Sequence, residues 1–324
     1  MKKMKKALAM LTITMTVGAA SILAPFSASA SSNGIDTTVI NEKWGKPTFV
    51  YGGGLSEAQV AETAELLDIE NRNNVNSMPV TGEDLERYLS EGEGDTSSMI
   101  SSVLVQKQDA DSGVEVIVKT PENITQITSD QYANAAITAG VTDAQIIVAS
   151  VSRVTGESAL TGIYKAFDAN GENLDQDRME VAQEELETTN EIAQENADVE
   201  GFDASRLDQA IIEIKQSLAD LKEKQGELAT REDIERIIQE ALANFELENV
   251  VSQEQIDRLL QLFEKYQQTS AIDSAQVKEQ LTDLANTVQD KVSDLIGRAE
   301  ESGWLDKIGN FFSEIWQSIL NLFN

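Results

Sequence analysis

The chain has no cysteine and no histidine among its 324 residues. Without thiol or imidazole it has no Ser-His-Asp or Cys-His nucleophile. It also has no zinc, iron or haem held by His or Cys, and no disulfide staple. The chemistry left open belongs to carboxylates, as Asp/Glu acid–base pairs or as oxygen-ligated calcium or magnesium. Proline is scarce, and its four copies lie at or before Pro121. Everything after that point is free to form long helices. Basic residues are outnumbered, 25 against 56 acidic ones, for a net charge of −31. Such a charge disfavours nucleic acid and anionic membrane surfaces as electrostatic partners. It suits cations, basic proteins or plain solubility.

What is present begins with a leader. Met1 to Lys6 is basic, Ala7 to Ala24 is uncharged and mostly apolar, Pro25 breaks the run, and Ala28-Ser29-Ala30 supplies small residues for a signal peptidase. This pattern predicts a Sec-type signal peptide over 1–30, cleaved after Ala30, and an extracytoplasmic mature chain. An uncleaved anchor is the alternative, since the apolar run is near the lower length limit for spanning. Removing the leader takes away four lysines and no acid, and leaves a net charge of −35.

The window from Gln131 to Phe167 is the least charged long stretch after the leader, and it reads as helix, strand and helix. Before it, Pro47 to Tyr51 and the runs Met99 to Lys107 and Val114 to Lys119 read as strands, the latter two as a hairpin around a Gly-containing loop. Helices are expected at Ser56 to Leu67, capped by Ser56, and at Glu83 to Leu89, capped by Thr81. Ser129 is expected to cap Gln131 to Ala139, with Gly140 closing that helix. Gln145 to Val151 reads as a buried strand and Ser158 to Phe167 as a helix. After an acidic helix at Glu180 to Asn196 and a break at Val199 to Asp203, Leu207, Ile211, Ile214, Leu218, Leu221, Gln225 and Leu228 form a heptad seam. The seam fits packing within the chain, with self-association as the alternative. Helices follow near Arg231 to Phe245, Glu254 to Tyr266 and Ala275 to Ile296, two of them with capping boxes at Thr230 and Ser252.

The expected fold class is therefore α+β, a small mixed α/β layer domain followed by an all-helical C-terminal region. The expected division is a flexible segment at 31–46, the α/β domain at 47–178, an acidic helix and linker at 179–203, a bundle or hairpins at 204–300, and an amphipathic helix at 304–324. That last helix puts Trp304, Phe311, Phe312, Trp316 and Phe323 on one side, five of the 17 aromatic residues of the chain. Its polar face is not basic, unlike most membrane-surface helices. Docking on the protein's own core is one reading of it. Contact with a membrane or a partner protein through those five aromatics is the other.

The order of Leu55-Ser56, Tyr132-Ala133-Asn134-Ala135, Thr138-Ala139-Gly140-Val141, Val154-Thr155-Gly156 and Ala159-Leu160-Thr161-Gly162 resembles the YpuA-like family of secreted proteins, a domain of unknown function (DUF1002). The likeness spans about Pro47 to Asn196 and resumes in the C-terminal helices, including the end around Trp316. It departs at Gly52-Gly53-Gly54 and in the helix from Leu207 to Leu228. The resemblance implies secretion and an envelope context, and it transfers no catalytic residue.

Three motifs invite chemistry. Gly52-Gly53-Gly54 lies between strand and helix, where N–H groups hold phosphates. A P-loop lysine is missing, however, and Glu57 opposes an anion, so a tight turn is the simpler reading. Gly156-Glu157-Ser158-Ala159 begins like a nucleophile elbow but lacks the second glycine, which leaves Ser158 as a helix cap. Asp168, Asn170, Glu172 and Asp175 carry the oxygens of a calcium loop, although an EF-hand would have Gly at position six and an acid at position twelve. They stand as candidate calcium ligands against the alternative of a solvated acidic turn. The first functional hypothesis is a secreted, non-enzymatic envelope protein that binds or scaffolds an unidentified protein or envelope component. The alternative is a divalent-cation-dependent carboxylate enzyme acting on cell-wall polymer, which a deep cleft with converging acids would favour.

Overall fold

The computed structural model describes residues 34–90 and 94–296, with side chains as far as 289. The leader at 1–30 and the aromatic stretch from Trp304 to Phe323 lie outside these residues.

Five strands form one mixed sheet: β1 (Thr48–Gly52), β2 (Asn76–Val80), β3 (Ser102–Lys107), β4 (Val114–Val118) and β5 (Ala144–Ala149). Their spatial order is β2-β1-β3-β5-β4. β5 runs antiparallel to β3 and parallel to β4, lying between them. The expected β3–β4 hairpin is therefore not formed. The position between them goes to the more apolar β5, whose Ile146, Ile147 and Val148 are fully buried, as befits a strand covered on both faces. β2 was not anticipated, because Pro79 argues against a strand. It lies on the sheet edge, paired only with β1, where a missing N–H costs no ladder bond.

Side chains alternate between the two faces of this sheet. Phe49, Leu104 and Ile147 join Val60, Ala64 and Leu67 in a small cluster under α1 (Glu57–Leu66). Val50, Val103, Val105, Ile146 and Val148 face the larger core, which is covered by α3 (Ser129–Ala139) and α4 (Ser158–Ala169). α4 lies close against the sheet because residue 162 is glycine: a Cβ there would sit 3.2 Å from Val103 Cγ2. The segment at 31–46, expected to be flexible, is anchored where it is described. Ile35 is buried, and the Trp44 ring meets Phe167 edge-on at 4.8 Å.

Beyond the sheet, α2 (Gly82–Leu89) and α5 (Gln176–Asn196) flank α4, and α6 (Ala204–Gln225), α7 (Arg231–Asn244), α8 (Gln253–Tyr266) and α9 (Ala275–Ile296) complete the helical part. One buried cluster runs from Val50 in β1 to Val288 in α9, so the sheet and the helices share a core. The expected cap at Ser56 and the expected capping boxes at Thr230 and Ser252 are all formed. For α3 the cap is Thr128, bonded reciprocally with Gln131, while the Ser129 hydroxyl turns away and accepts from Val118 N at 3.2 Å. Gly140 closes α3 in the left-handed conformation, at φ +98°.

The heptad seam is consumed within the chain. Every residue of α6 from Leu207 to Lys215 is buried, which makes α6 a central helix packed against α3, α5, α7 and α9. The seam stops short of Leu228 because Gly226 ends the helix at φ +75°. At its centre Lys215 is fully enclosed. Its ammonium donates to Glu185 Oε1 on α5 at 2.8 Å, to Thr138 Oγ1 on α3 at 3.0 Å, and to the Asn134 carbonyl and side chain. Thr138 donates in turn to Glu185 Oε2 at 2.7 Å. Burial drives the Lys215 ammonium below its ordinary range, and the Glu185 carboxylate opposes that drop.

Candidate functional site

An acidic cleft of about 820 Å³ opens among the described residues. One wall is a single face of α5, where Glu180, Glu184 and Glu187 follow each other at helical offsets of four and three. Opposite stand the turn Thr155-Gly156-Glu157 that opens α4 and the hydroxyls of Ser98, Ser101 and Ser158. Leu85 and Leu89 of α2, with Met99, Val154 and Val181, supply apolar lining.

The turn depends on Gly156, which takes a left-handed φ of +111°. A Cβ at this position would collide with the Tyr132 hydroxyl, and that hydroxyl donates to the Gly156 carbonyl at 2.6 Å. The turn therefore rests on the buried base of α3. Ser158 does not cap α4 as expected. It is the first helical residue, its Oγ lies 3.0 Å from Ser101 Oγ, and the cap position belongs to Glu157. Partial burial raises the Glu157 carboxyl above the usual range and the nearby Glu187 carboxylate adds to this, while the Thr155 hydroxyl opposes it.

Among the described residues one cation reaches the cleft. Lys265 of α8 donates to both oxygens of Glu184, at 2.8 and 2.7 Å. Among the described residues no Lys or Arg pairs with Glu157, Glu180 or Glu187. Gln183, nine-tenths buried in the cleft wall, donates its amide to Glu187 at 2.7 Å, while its carbonyl Oε1 has no partner. No three carboxylates among the described residues come together closely enough to hold a metal ion. The acids of the cleft are thus spaced for separate contacts.

The candidate calcium residues lie at and after the opposite end of α4, about 16 Å from the Glu157 turn along the helix at 1.5 Å per residue. The structure does not aim them at a common point. Asp168 accepts from the Tyr88 hydroxyl at 3.0 Å and pairs with Arg87 at 3.0 Å. Asn170 donates to Thr48 Oγ1 at 2.9 Å and to the Ala166 carbonyl. Glu172 accepts from Trp44 Nε1 at 2.8 Å and from Lys107 Nζ at 2.9 Å. Asp175 caps α5, accepting from Arg178 N at 3.1 Å. Gly52-Gly53-Gly54 is a structural turn, with Gly53 N donating to Val80 O at 2.8 Å and Gly54 N to Met99 O at 3.0 Å, so neither amide is free for a phosphate. The aromatics Trp304, Phe311, Phe312, Trp316 and Phe323 lie outside the described residues.

The cleft was not foreseen from the sequence. The row of glutamates is visible there, but its spacing equally describes a solvated helix face. The facing wall comes from residues far away in the chain.

Residues 51–284 match the family described as "Protein of unknown function (DUF1002)". The chain is 30% identical over 278 residues to the "Uncharacterized protein YpuA" of Bacillus subtilis (strain 168), covering 84% of this chain and 88% of that protein. No solved structure matches. With its family model matched over the sheet and most of the helices, the chain belongs to the DUF1002 family.

Proposed function

We propose that this chain is a secreted, envelope-associated binding protein without catalytic activity, and that its ligand is a cationic molecule held in the acidic cleft. The observation that carries the reading is the cleft itself. It is about 820 Å³ in volume, and among the described residues four glutamates line it and the one cation, Lys265, is already paired. A concavity of this size and mixed lining is of the kind that holds small molecules. The net charge of −31 draws cations towards it. The leader-like N-terminus supports the placement outside the cytoplasm.

The test is titration calorimetry with trilysine as a general cationic probe, on the full chain and on a Glu180→Gln/Glu187→Gln variant. Binding by the parent and marked weakening in the variant are expected. Equal binding by both, or by neither, rejects the cleft as the site. N-terminal sequencing of protein recovered outside the cell should begin at Ser31, and retention of the leader inside the cell would contradict secretion.

A second reading, a carboxylate enzyme acting on cell-wall polymer, is favoured by Glu157. This half-buried acid with a raised carboxyl lies beside the Ser101–Ser158 hydroxyl pair, an environment in which a carboxyl serves as a proton donor. Release of soluble wall fragments by the parent, abolished in Glu157→Gln, would establish it over the binding reading.

A further inference from the structure

We propose that the acidic cleft is a site for a linear aliphatic polyamine, lying along α5 with successive ammonium groups on Glu180, Glu184 and Glu187. This rests on the reading of the cleft as a cation site and names the ligand class.

The first argument is spacing. Offsets of four and three residues place the three carboxylates on one helix face, about 6 Å and about 4.5 Å apart along the axis. Among the described residues no three carboxylates are close enough to enclose a single metal ion. A compact divalent cation therefore gains from one carboxylate at a time. A chain of ammoniums separated by three or four methylenes satisfies the row together.

The second argument is that the row already holds an ammonium. Lys265 Nζ reaches across from α8 and donates to both oxygens of Glu184. A primary amine on an aliphatic stem is the chemistry of one end of a polyamine. The lysine side chain is 59% exposed, and exposed bridges of this kind hold weakly, so an incoming ligand displaces it at small cost.

The third argument is independent of charge. Gln183, 9% exposed, lies in the same wall with its amide donated to Glu187 and its carbonyl oxygen unpartnered. A buried carbonyl left without a donor is costly, and a turn of the Gln183 side chain towards an ammonium bound beside Glu187 would relieve it. The facing apolar side chains, Leu85, Leu89, Met99 and Val154, suit the methylenes between the charges. Together the features call for alternating charge and hydrocarbon, which a polyamine carries and a hydrated metal ion does not.

Titration calorimetry of the full chain with spermidine, putrescine, trilysine and magnesium tests the proposal. Spermidine is expected to bind in a one-to-one complex, and putrescine, with one ammonium fewer, about tenfold more weakly. Glu180→Gln and Glu187→Gln are each expected to weaken spermidine about tenfold. Lys265→Ala, which frees Glu184, is expected to tighten it. Because wild-type protein alone discriminates between the probes, a variant that fails to fold leaves the outcome readable. Magnesium competing equally with spermidine at equal concentration would reduce the effect to diffuse attraction and overturn the proposal. Trilysine binding that depends on Glu180 and Glu187, with no spermidine binding, overturns the polyamine and leaves the cation site standing. No binding by either probe removes both.

Discussion

The carboxyl of Glu213 should make the stability of this protein fall as pH rises through neutrality. Glu213 is 6% exposed on α6, against a small cavity of about 140 Å³ bordered by Ile212, Phe245 and Ala285. Burial pushes it from the ordinary 4.5 up to about 7, the Glu240 carboxylate adds to this, and the 2.7 Å hydrogen bond from Asn244 Nδ2 works against it. Between these two values the folded chain holds a proton that the unfolded chain has released. The stabilisation is therefore complete below pH 4.5 and is lost as pH rises through about 7. At 1.36 kcal/mol per pH unit this amounts to about 3 kcal/mol. Glu213→Gln cannot ionise, yet it keeps an oxygen to accept from Asn244. Relative to the parent it should be about 3 kcal/mol more stable at pH 8 than its standing at pH 4.5. Urea unfolding of both proteins at the two pH values measures this, since carboxylates far from the site cancel in the difference. A difference between parent and variant that is independent of pH to within about 1 kcal/mol would show that the Glu213 carboxyl is not desolvated as described.

Three further perturbations probe the frame that holds the cleft. Lys215→Met strands the buried Glu185 carboxylate and should cost about 3–5 kcal/mol, part of which returns when Glu185 is also made Met. Chemical denaturation reads both, and a loss below about 1 kcal/mol would mean that the pair is not enclosed. Gly156→Ala should cost about 1–3 kcal/mol from its left-handed backbone alone. Adding Tyr132→Phe should recover only the part due to the hydroxyl, and full recovery in thermal melts would contradict the assigned backbone. Asp203→Ala removes the acceptor that caps α6 through Ser205 N at 2.8 Å and Arg206 N at 3.3 Å. It should lower stability by about 1 kcal/mol, and an unchanged urea midpoint would argue against that cap.

Features set by near neighbours were legible in the chain. The cap at Ser56, the capping boxes at Thr230 and Ser252 and the glycine stop at Gly140 appear where expected, because each is decided within three or four residues. The caps of α3 and α4 were misplaced for a related reason: the extended Thr128 rather than Ser129 precedes α3, and Glu157, itself in helical conformation, rather than Ser158 precedes α4. In each helix a hydroxyl that could cap is drawn to a partner distant in sequence, Val118 N for Ser129 and Ser101 Oγ for Ser158. The calcium candidates Asp168, Asn170, Glu172 and Asp175 show the same limit. Their residue types were right for oxygen ligation, but Arg87, Thr48, Lys107, Trp44 and the N-terminus of α5 engage them one by one.

By itself the sequence determined which chemistries are closed, since a side chain that is absent cannot be supplied by folding. It also determined the starts of α1, α7 and α8 and the stop of α3, since period and capping are local. Tertiary structure decided that β5 lies between β3 and β4, because strand order follows from which faces can be covered, and that depends on helices far along the chain. It decided the all-round burial of α6, whose polar Asp208, Gln209, Glu213 and Lys215 are enclosed only once α3, α5, α7 and α9 pack around the helix. It also decided the cleft, for the row of glutamates on α5 becomes a wall only once Leu85, Ser101 and Glu157 are brought opposite it.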